Sequence, residues 1–455
     1  MWNFALPSLC LSIDCRRCIH FPITHFTSAA MSNHYSAIIV GGGQAGLSMS
    51  YCLKERGIDH IVFEKNQIGY AWREKRWDSF CLVTPNWQCQ LPGFPYPGND
   101  PQGFMQKEEI VGYIERYAAS FEPPLKEGVE VLKLCRNEAQ QFEVTTSIGD
   151  FTADRVVVAI GGYHVPRIPR LAEHLPALHQ IHSSEYRNSE SLPDGAVLVV
   201  GTGQSGCQIA EDLHLAGRQV HLCVGGAPRS PRRYRGKDVV DWLDQMGYYD
   251  LPIDQHPQKE KVRAKANHYV TGRDGGREID LRQFAREGMK LHGKLKAAEG
   301  TQLQFQNDLK HNLDQADAVA ESIKKTIDTF IEKNQIDAPI EPPYHPVWEP
   351  IENSLAIDYE QENIRTIIWC TGYQSDFSWI EVPVFDGKGY PGHDRGVTGV
   401  WGLYFLGLPW LYTWGSGRFS GIARDATYLA DYMVARKRVV VAQDWSVVNE
   451  FLLGS

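Results

Sequence analysis

SAIIVGGGQAGLSMSYCLKERGIDHIVFEK, residues 36–65, and AVLVVGTGQSGCQIAEDLHLAGRQVHLCVG, residues 196–225, are two copies of one unit. Each opens with a short β-branched run, passes through G-x-G-x-x-G, and continues with helical spacing to a glycine and a second apolar run. In the first copy Ala45, Met49, Cys52 and Leu53 share one helical face; in the second Gly206, Ile209, Ala210 and Leu213 do. Gly57 and Gly217 suit the left-handed residue that ends a helix. Within each loop the glycines have separate tasks. Gly41 and Gly201 make the tight turn, Gly43 and Gly203 let a pyrophosphate approach the backbone, and Gly46 and Gly206 let the helix pack on its strand. The helix amides then face the phosphate charge. Two such motifs, each in full strand–helix–strand context, predict an α/β fold with two Rossmann-like dinucleotide-binding domains.

The copies differ at the end of the second strand. Glu64 stands where a carboxylate would accept hydrogen bonds from a ribose diol, the mark of an FAD or NAD adenosine site. The aligned residue of the second copy is Val224, followed by Gly225 and the Arg-rich turn APRSPRRYRG. A carboxylate would repel a 2′-phosphate, whereas Arg229, Arg232, Arg233 or Arg235 would pair with it, so NADPH is expected there over NADH.

DRVVVAIGGYHVP (154–166) and IRTIIWCTGYQSDF (364–377) each run as a strand back to a glycine and read as crossings between the units. On this basis the first domain comprises 35–190 together with 365–440. The second, 191–364, is inserted in it and carries a helical insert over about 255–340. HPQKEKVRAKANHYVTGRDGGRE, residues 256–278, is polar and reads as a long loop. Helical spacing follows at Leu281, Phe284, Ala285, Gly288 and Leu295, and a clearer seam at Leu309, Leu313, Ala316, Ala320, Ile323, Ile327 and Phe330. That seam is expected to pack on its own subunit, with a cover for the active site or a homodimer contact as alternatives. Residues 1–34 read as a disordered extension or as a stretch preceding a natural start at Met31, and 441–455 as a tail.

A chain of 455 residues, 43 % hydrophobic and 22 % charged, has material for two or three soluble domains. Its net charge of −9 gives no reason to expect nucleic acid as a partner. No apolar run reaches the roughly 18–20 residues of a membrane span. The ten cysteines lack a framework of spacings, which points to a reduced, cytoplasmic protein. The one CxxC, Cys15–Cys18, with Cys10 and His20, lacks a second ligand pair at zinc spacing, so no metal is expected.

With these two units in this order, the chain resembles the class B flavin-dependent monooxygenases, the flavin-containing monooxygenase and YUCCA-type enzymes, from residue 35 to about 436 apart from the insert. GYAWREKRWDSFCLVTPNWQCQLPGFPYP (69–97), with its YUCCA-like CQLP, is similar to the segment that wraps the flavin. CTGY (370–373) and GLYFLGLPWLYTWGSGRFSGIARDATYLADYM (402–433) match its later motifs. The F-x-G-x-x-x-H-S-x-x-Y signature is half present, with Pro176 and Leu178 in place of Phe and Gly but His182, Ser183 and Tyr186 fitting. The resemblance implies FAD on Gly41, Gly43, Gln44, Ala45, Gly46, Glu64, Trp72 and Arg73. It implies NADPH on Gly201, Gly203, Gln204, Ser205, Gly206 and Arg229, with Thr371 and Gly372 where the cofactors meet. Ser420 and Gly421 would open a helix whose positive end faces the flavin pyrimidine. Asn86 is the candidate polar neighbour of the reactive flavin carbon, against a plain turn role after Pro85.

The reaction so implied is insertion of one oxygen atom of O₂ into a small organic substrate through a flavin C4a-(hydro)peroxide, with the protein orienting rings and excluding water. Amine, thioether, indole, ketone and 2-oxo acid substrates all stay open. Three alternatives share the plan. One is an NADPH oxidase or quinone-type reductase, and one a non-catalytic flavoprotein redox sensor. The third, a disulfide reductase, needs a close cysteine pair beside the flavin, and Cys81, Cys89 and Cys207 are not so spaced.

Overall fold

The computed structural model describes residues 33–350 and 355–436. The expectations for the N-terminal extension, its cysteines and the 441–455 tail lie outside them. Two parallel sheets organise the chain. In the first, Leu403–Phe405, Val156–Val158, Ala37–Val40, His60–Phe63 and Leu125–Lys126 run parallel in that order, and two short strands, Val397–Thr398 and His393–Asp394, extend one edge antiparallel. In the second, His179–His182, Ile364–Trp369, Ala196–Val200, Val220–Cys223 and Lys290–His292 are all parallel. The runs AIIV and AVLVV are buried along their whole length, as strands covered on both faces must be. Each is followed by a glycine loop and a helix, Gln44–Glu55 in the first copy and Gln204–Leu215 in the second.

The strands that return to a glycine take equivalent places. Val156–Val158 lies beside Ala37–Val40, and Ile364–Trp369 beside Ala196–Val200. This moves the domain boundaries from their expected positions: His179–His182 and Ile364–Trp369, assigned by sequence to or next to the first domain, hydrogen-bond into the second sheet. The chain leaves the first sheet after Val158 and returns after Trp369. The two connections pair with each other, Val165–Pro166 antiparallel to Tyr373–Gln374.

The insert is mixed rather than helical. The helix expected through Leu295 is six residues long, Leu281–Arg286, capped by the Asp280 carboxylate, which accepts from the amides of Arg282 and Gln283. It stops at Gly288, whose φ of +109° a helix does not accommodate. Lys290–His292 then joins the second sheet, and Leu295–Glu299 and Gln302–Phe305 form a meander with Ala356–Asp358. Pairing across the sheet overrode the local helical spacing. The seam at 309–330 does form a helix, Leu309–Asn334. Its first half, Leu309, Leu313 and Ala316, enters the main core, and Ile327 and Ile331 pack with Tyr234, Val239 and Trp242. Its apolar stripe is therefore spent within its own subunit.

Truncating that stripe removes buried volume that the neighbouring rings do not refill. Ile327→Ala is expected to lower unfolding free energy by about 2–4 kcal/mol in urea titrations. The exposed Thr326→Ala should stay within about 0.5 kcal/mol.

Candidate functional site

The two glycine loops repeat to within small differences. Gly41 and Gly201 have φ of +104° and +107°, values only glycine adopts readily. A β-carbon on Gly46 would lie 1.8 Å from the Gly41 oxygen, and one on Gly206 1.9 Å from the Gly201 oxygen. Gly43 and Gly203 face open space, with nothing within 4 Å of a notional β-carbon. They are also the N-caps of their helices, and no side chain caps either. Each loop thus presents uncapped helix amides to a space the size of its missing side chains, the arrangement that receives a phosphate.

Around this shared plan the partners differ. In the first loop the Gly42 amide donates to Glu64 Oε2 at 2.6 Å, and Asn66 N to Oε1 at 2.9 Å. The carboxylate is held beside the loop, where a ribose diol would reach it. In the second loop Gly225 N donates to Thr202 Oγ1 at 2.9 Å, a neutral clasp in the corresponding place. Gln44 and Gln204, the first residues of the two helices, both reach outward. Gln44 Nε2 donates to Gly417 O at 3.2 Å, and its Oε1 accepts from Trp72 Nε1 at 3.4 Å. Gln204 Nε2 donates to Val270 O. Ala45 is buried in the first turn, and Ser205 occupies the equivalent position in the second helix.

The connections between the sheets close the site. A β-carbon on Gly41 would lie 2.9 Å from the Ala159 oxygen, and one on Gly201 2.8 Å from the Cys370 oxygen. Beyond these contacts Gly372 O accepts from Arg167 N at 2.9 Å and lies 3.1 Å from His182 Nε2. Thr371 Oγ1 donates to Arg167 O. The half-present signature has a structural use here. His182 braces the second connection, and Tyr186 Oη donates to Asp212 Oδ2 at 2.6 Å on the second glycine helix. Ser79 and Arg273 bind the same carboxylate, so Asp212 joins segment 69–97, the connection and the insert.

The other sequence candidates divide. Trp72 stacks on Phe419, with ring centroids 5.5 Å apart. Gly421 caps the helix Ile422–Ala435, and the Ser420 hydroxyl is buried without a partner. Sequence reading passed over Asp425 in that helix's first turn. It is 1 % exposed, lies 3.8 Å from Arg395, and burial pushes its carboxyl up to about 6. Arg73 pairs with Glu115 at 2.6 Å on the surface. Arg76, also passed over, lies 5.2 Å from the Trp72 ring with no carboxylate in ion-pair reach among the described residues.

Of two remaining candidates, Asn86 takes the turn role left open for it, and Arg229 does not fit the phosphate role. Asn86 is 3 % exposed and its carboxamide is used locally, donating to Asp100 O at 2.9 Å and accepting from Met105 N at 2.7 Å. It holds the turn it starts. Arg229 is 2 % exposed and faces Asp280 and Asp317 at 3.5 and 3.2 Å, with Tyr344 beneath it. A guanidinium enclosed by two carboxylates and a ring is committed to the insert rather than to a 2′-phosphate. Arg232 is likewise buried on Asp238, and Arg235 pairs with Asp328. Of the turn's four arginines, Arg233 alone is exposed.

The polar loop after 247 lies along the C-terminal flavin-type segment. Tyr249 packs on Trp414 at 4.8 Å, His256 on Trp410 at 5.1 Å, and Ile253 N donates to Tyr412 O at 2.8 Å. Trp410 and Trp414 therefore form a wall together with a segment of the second domain.

A family model described as pyridine nucleotide-disulphide oxidoreductase matches residues 38–283. An "uncharacterized oxidoreductase CzcO-like" protein of Geobacillus kaustophilus (strain HTA426) is 36 % identical over 403 residues, covering 88 % of this chain and 98 % of that protein. A probable indole-3-pyruvate monooxygenase, YUCCA4 of Arabidopsis thaliana, is 31 % identical over 195 residues, covering 41 % and 46 %. A flavin-containing monooxygenase from Stenotrophomonas maltophilia shares the fold, with a TM-score of 0.59 at 18 % identity over 88 % of this chain and 98 % of its own.

Arg229→Ala removes the one ion pair of Asp280 and leaves Asp317 to Arg282 alone, and is expected to destabilise the protein by about 2–4 kcal/mol in denaturant unfolding. Glu211, 1 % exposed in the second glycine helix, offers a pH test. Burial pushes its carboxyl from 4.5 up to about 7. Between those values the folded state holds the extra proton, so stability falls as pH rises through that window. Glu211→Gln is expected to gain stability over the parent at about pH 8, and to show no gain at about pH 4, in urea titrations at the two pH values.

Proposed function

Since the chain belongs to the pyridine nucleotide-disulphide oxidoreductase family, we propose that it is an FAD- and NADPH-dependent monooxygenase acting on a small organic substrate. The observation that carries this reading is the pair of uncapped, side-chain-free helix ends at Gly43 and Gly203, leaning on two connections that pair with each other. The residues present fit the two dinucleotides. Glu64 would accept from the FAD ribose, and the 44–46 amides would hold its pyrophosphate. Trp72 and Phe419 would flank it, with Arg76 supplying positive charge. The amides of 204–206 would hold the NADPH pyrophosphate, and Val224 with Gly225 leaves room for a 2′-phosphate.

When bound, the flavin supplies hydride acceptance and oxygen activation. The chain's own residues bind and orient. Gln44 ties the first loop to Gly417, and so holds the start of the helix Ile422–Ala435 against the site. That helix's amide end favours negative charge placed before it. Segment 248–268, laid over Trp410 and Trp414, excludes water from the space between the domains. Oxygen transfer is supported over disulfide reduction by the cysteines. Burial pushes the thiols of Cys81 and Cys89 up to about 11 and about 12, keeping them protonated and poor nucleophiles.

Rapid mixing tests the reading. The protein reduced with NADPH and exposed to oxygenated buffer is expected to show a transient flavin species, and ¹⁸O from O₂ should enter an accepted substrate. Immediate return to oxidised flavin with one peroxide per NADPH, whatever substrate is offered, would establish an oxidase instead. Coenzyme choice has its own test. With Arg229 committed elsewhere, we assign the 2′-phosphate to Arg233, and Arg233→Ala is expected to raise KM for NADPH about tenfold while KM for NADH stays level. Equal changes would remove Arg233 from the phosphate.

A further inference from the structure

Arg418 is placed unlike the buried arginines of this chain. Arg229, Arg232 and Arg282 each meet at least one carboxylate. Arg418 is half-buried, its guanidinium 4.0 Å from the centroid of the Trp414 ring. It donates to the Trp414 carbonyl and, at 3.0 Å, to Asn267 Oδ1. Both acceptors are neutral, and among the described residues no carboxylate stands within ion-pair distance. Enclosure without a counter-charge draws its pKa below the usual arginine value, while the phenols of Tyr163, Tyr248 and Tyr249 act weakly the other way.

The position is central to the site. Gly417, the preceding residue, accepts the hydrogen bond from Gln44 of the first glycine loop. Phe419, the following one, stacks on Trp72 and accepts from Gln90 N at 3.3 Å. Asn267 and Tyr249 belong to the segment from the second domain. The guanidinium therefore lies where the flavin segment, the first loop and the covering segment meet, with an aromatic surface of Trp414 and Tyr249 beside it.

We propose that Arg418 determines substrate specificity by receiving a carboxylate of the substrate, whose planar or apolar body lies against Trp414 and Tyr249. A guanidinium with spare donors in a fixed fork matches a carboxylate bidentately, and a low-dielectric aromatic setting strengthens the pair. The dinucleotide phosphates already have their own receivers in the two helix ends. This assignment rests on the flavoprotein reading and narrows its substrate to an organic acid.

The test compares 3-phenylpropionate with 3-phenylpropionamide, probes of nearly equal shape and different charge. Each is titrated into the purified holoprotein and followed by perturbation of the flavin absorbance and by calorimetry. The acid is expected to bind at least about tenfold more tightly than the amide, the ratio of one charge-assisted pair. Arg418→Gln should bring the ratio close to one by weakening only the acid. Asn267→Asp, at an exposed position, places a carboxylate on the guanidinium and should have the same effect while Arg418 remains. Equal binding of acid and amide, saturable binding of neither, or a preference that survives both substitutions overturns the proposal. So does a variant that weakens NADP⁺ and leaves the acid untouched. Failure of the flavoprotein reading itself is seen separately, as protein that carries no flavin absorbance or is not reduced by NADPH.

Discussion

At residues 46 and 206 a β-carbon would lie 1.8 and 1.9 Å from the carbonyl oxygens of Gly41 and Gly201, so each helix begins pressed against its own loop. The rest of the architecture follows from that closeness. It fixes the direction of the helix amides, and the loop runs so near the adjoining strand that a β-carbon on Gly41 would meet the Ala159 carbonyl and one on Gly201 that of Cys370. The strands carrying these carbonyls run on into the two connections between the sheets. One steric requirement, met twice, thus sets both nucleotide loops against the single junction where their ligands would meet. A side chain at any of these four positions would have to move a backbone carbonyl, which has no rotamer to change.

This part of the molecule was legible because its signals are local. The glycine spacing, the β-branched runs and the 309–330 seam each show their pattern within one short segment, whatever distant partner they then meet. Arg229 was misread because its carboxylates, Asp280 and Asp317, come from the insert, and spacing along the chain says nothing of which distant acid folds over a basic turn. For Asn86 two roles stood open, and the turn role is the one its partners at 100 and 105 fill; they lie across a loop, where spacing along the chain does not show them. Lys290–His292 continued a helical pattern on paper, yet the edge of Val220–Cys223 offered it a full set of backbone hydrogen bonds. Arg76 and Arg418 went unnoticed for the opposite reason: what distinguishes them is the lack of a counter-charge, which only a folded structure displays.

Electrostatics divides the molecule into two kinds of region. In the insert, charges are matched closely. Arg229 and Arg282 share Asp317, and Arg282 also meets Asp314 and Glu349, which anchors the long helix to the turn after Val224. Around the candidate site Arg73 and Arg273 keep carboxylate partners, but Arg76 and Arg418 stand beside aromatic rings with no acid in ion-pair reach among the described residues. Such rings cost little to leave when a stronger anion arrives. The insert's charges are spent on one another, whereas Arg76 and Arg418 keep donors that a ligand could use.

The ribbon formed by Val165–Pro166 and Tyr373–Gln374 has a consequence for how such a chain can be rearranged. The polypeptide departs for the second sheet and comes back along two strands in direct contact, so the ends of the inserted domain are neighbours. A segment with adjoining ends can be exchanged as a cassette without cutting a strand of the host sheet. A nucleotide domain of another coenzyme preference, grafted at this ribbon, would inherit the junction with the flavin side intact. On the proposed function, such an exchange would change the electron donor on one side of the ribbon and leave the chemistry on the other in place.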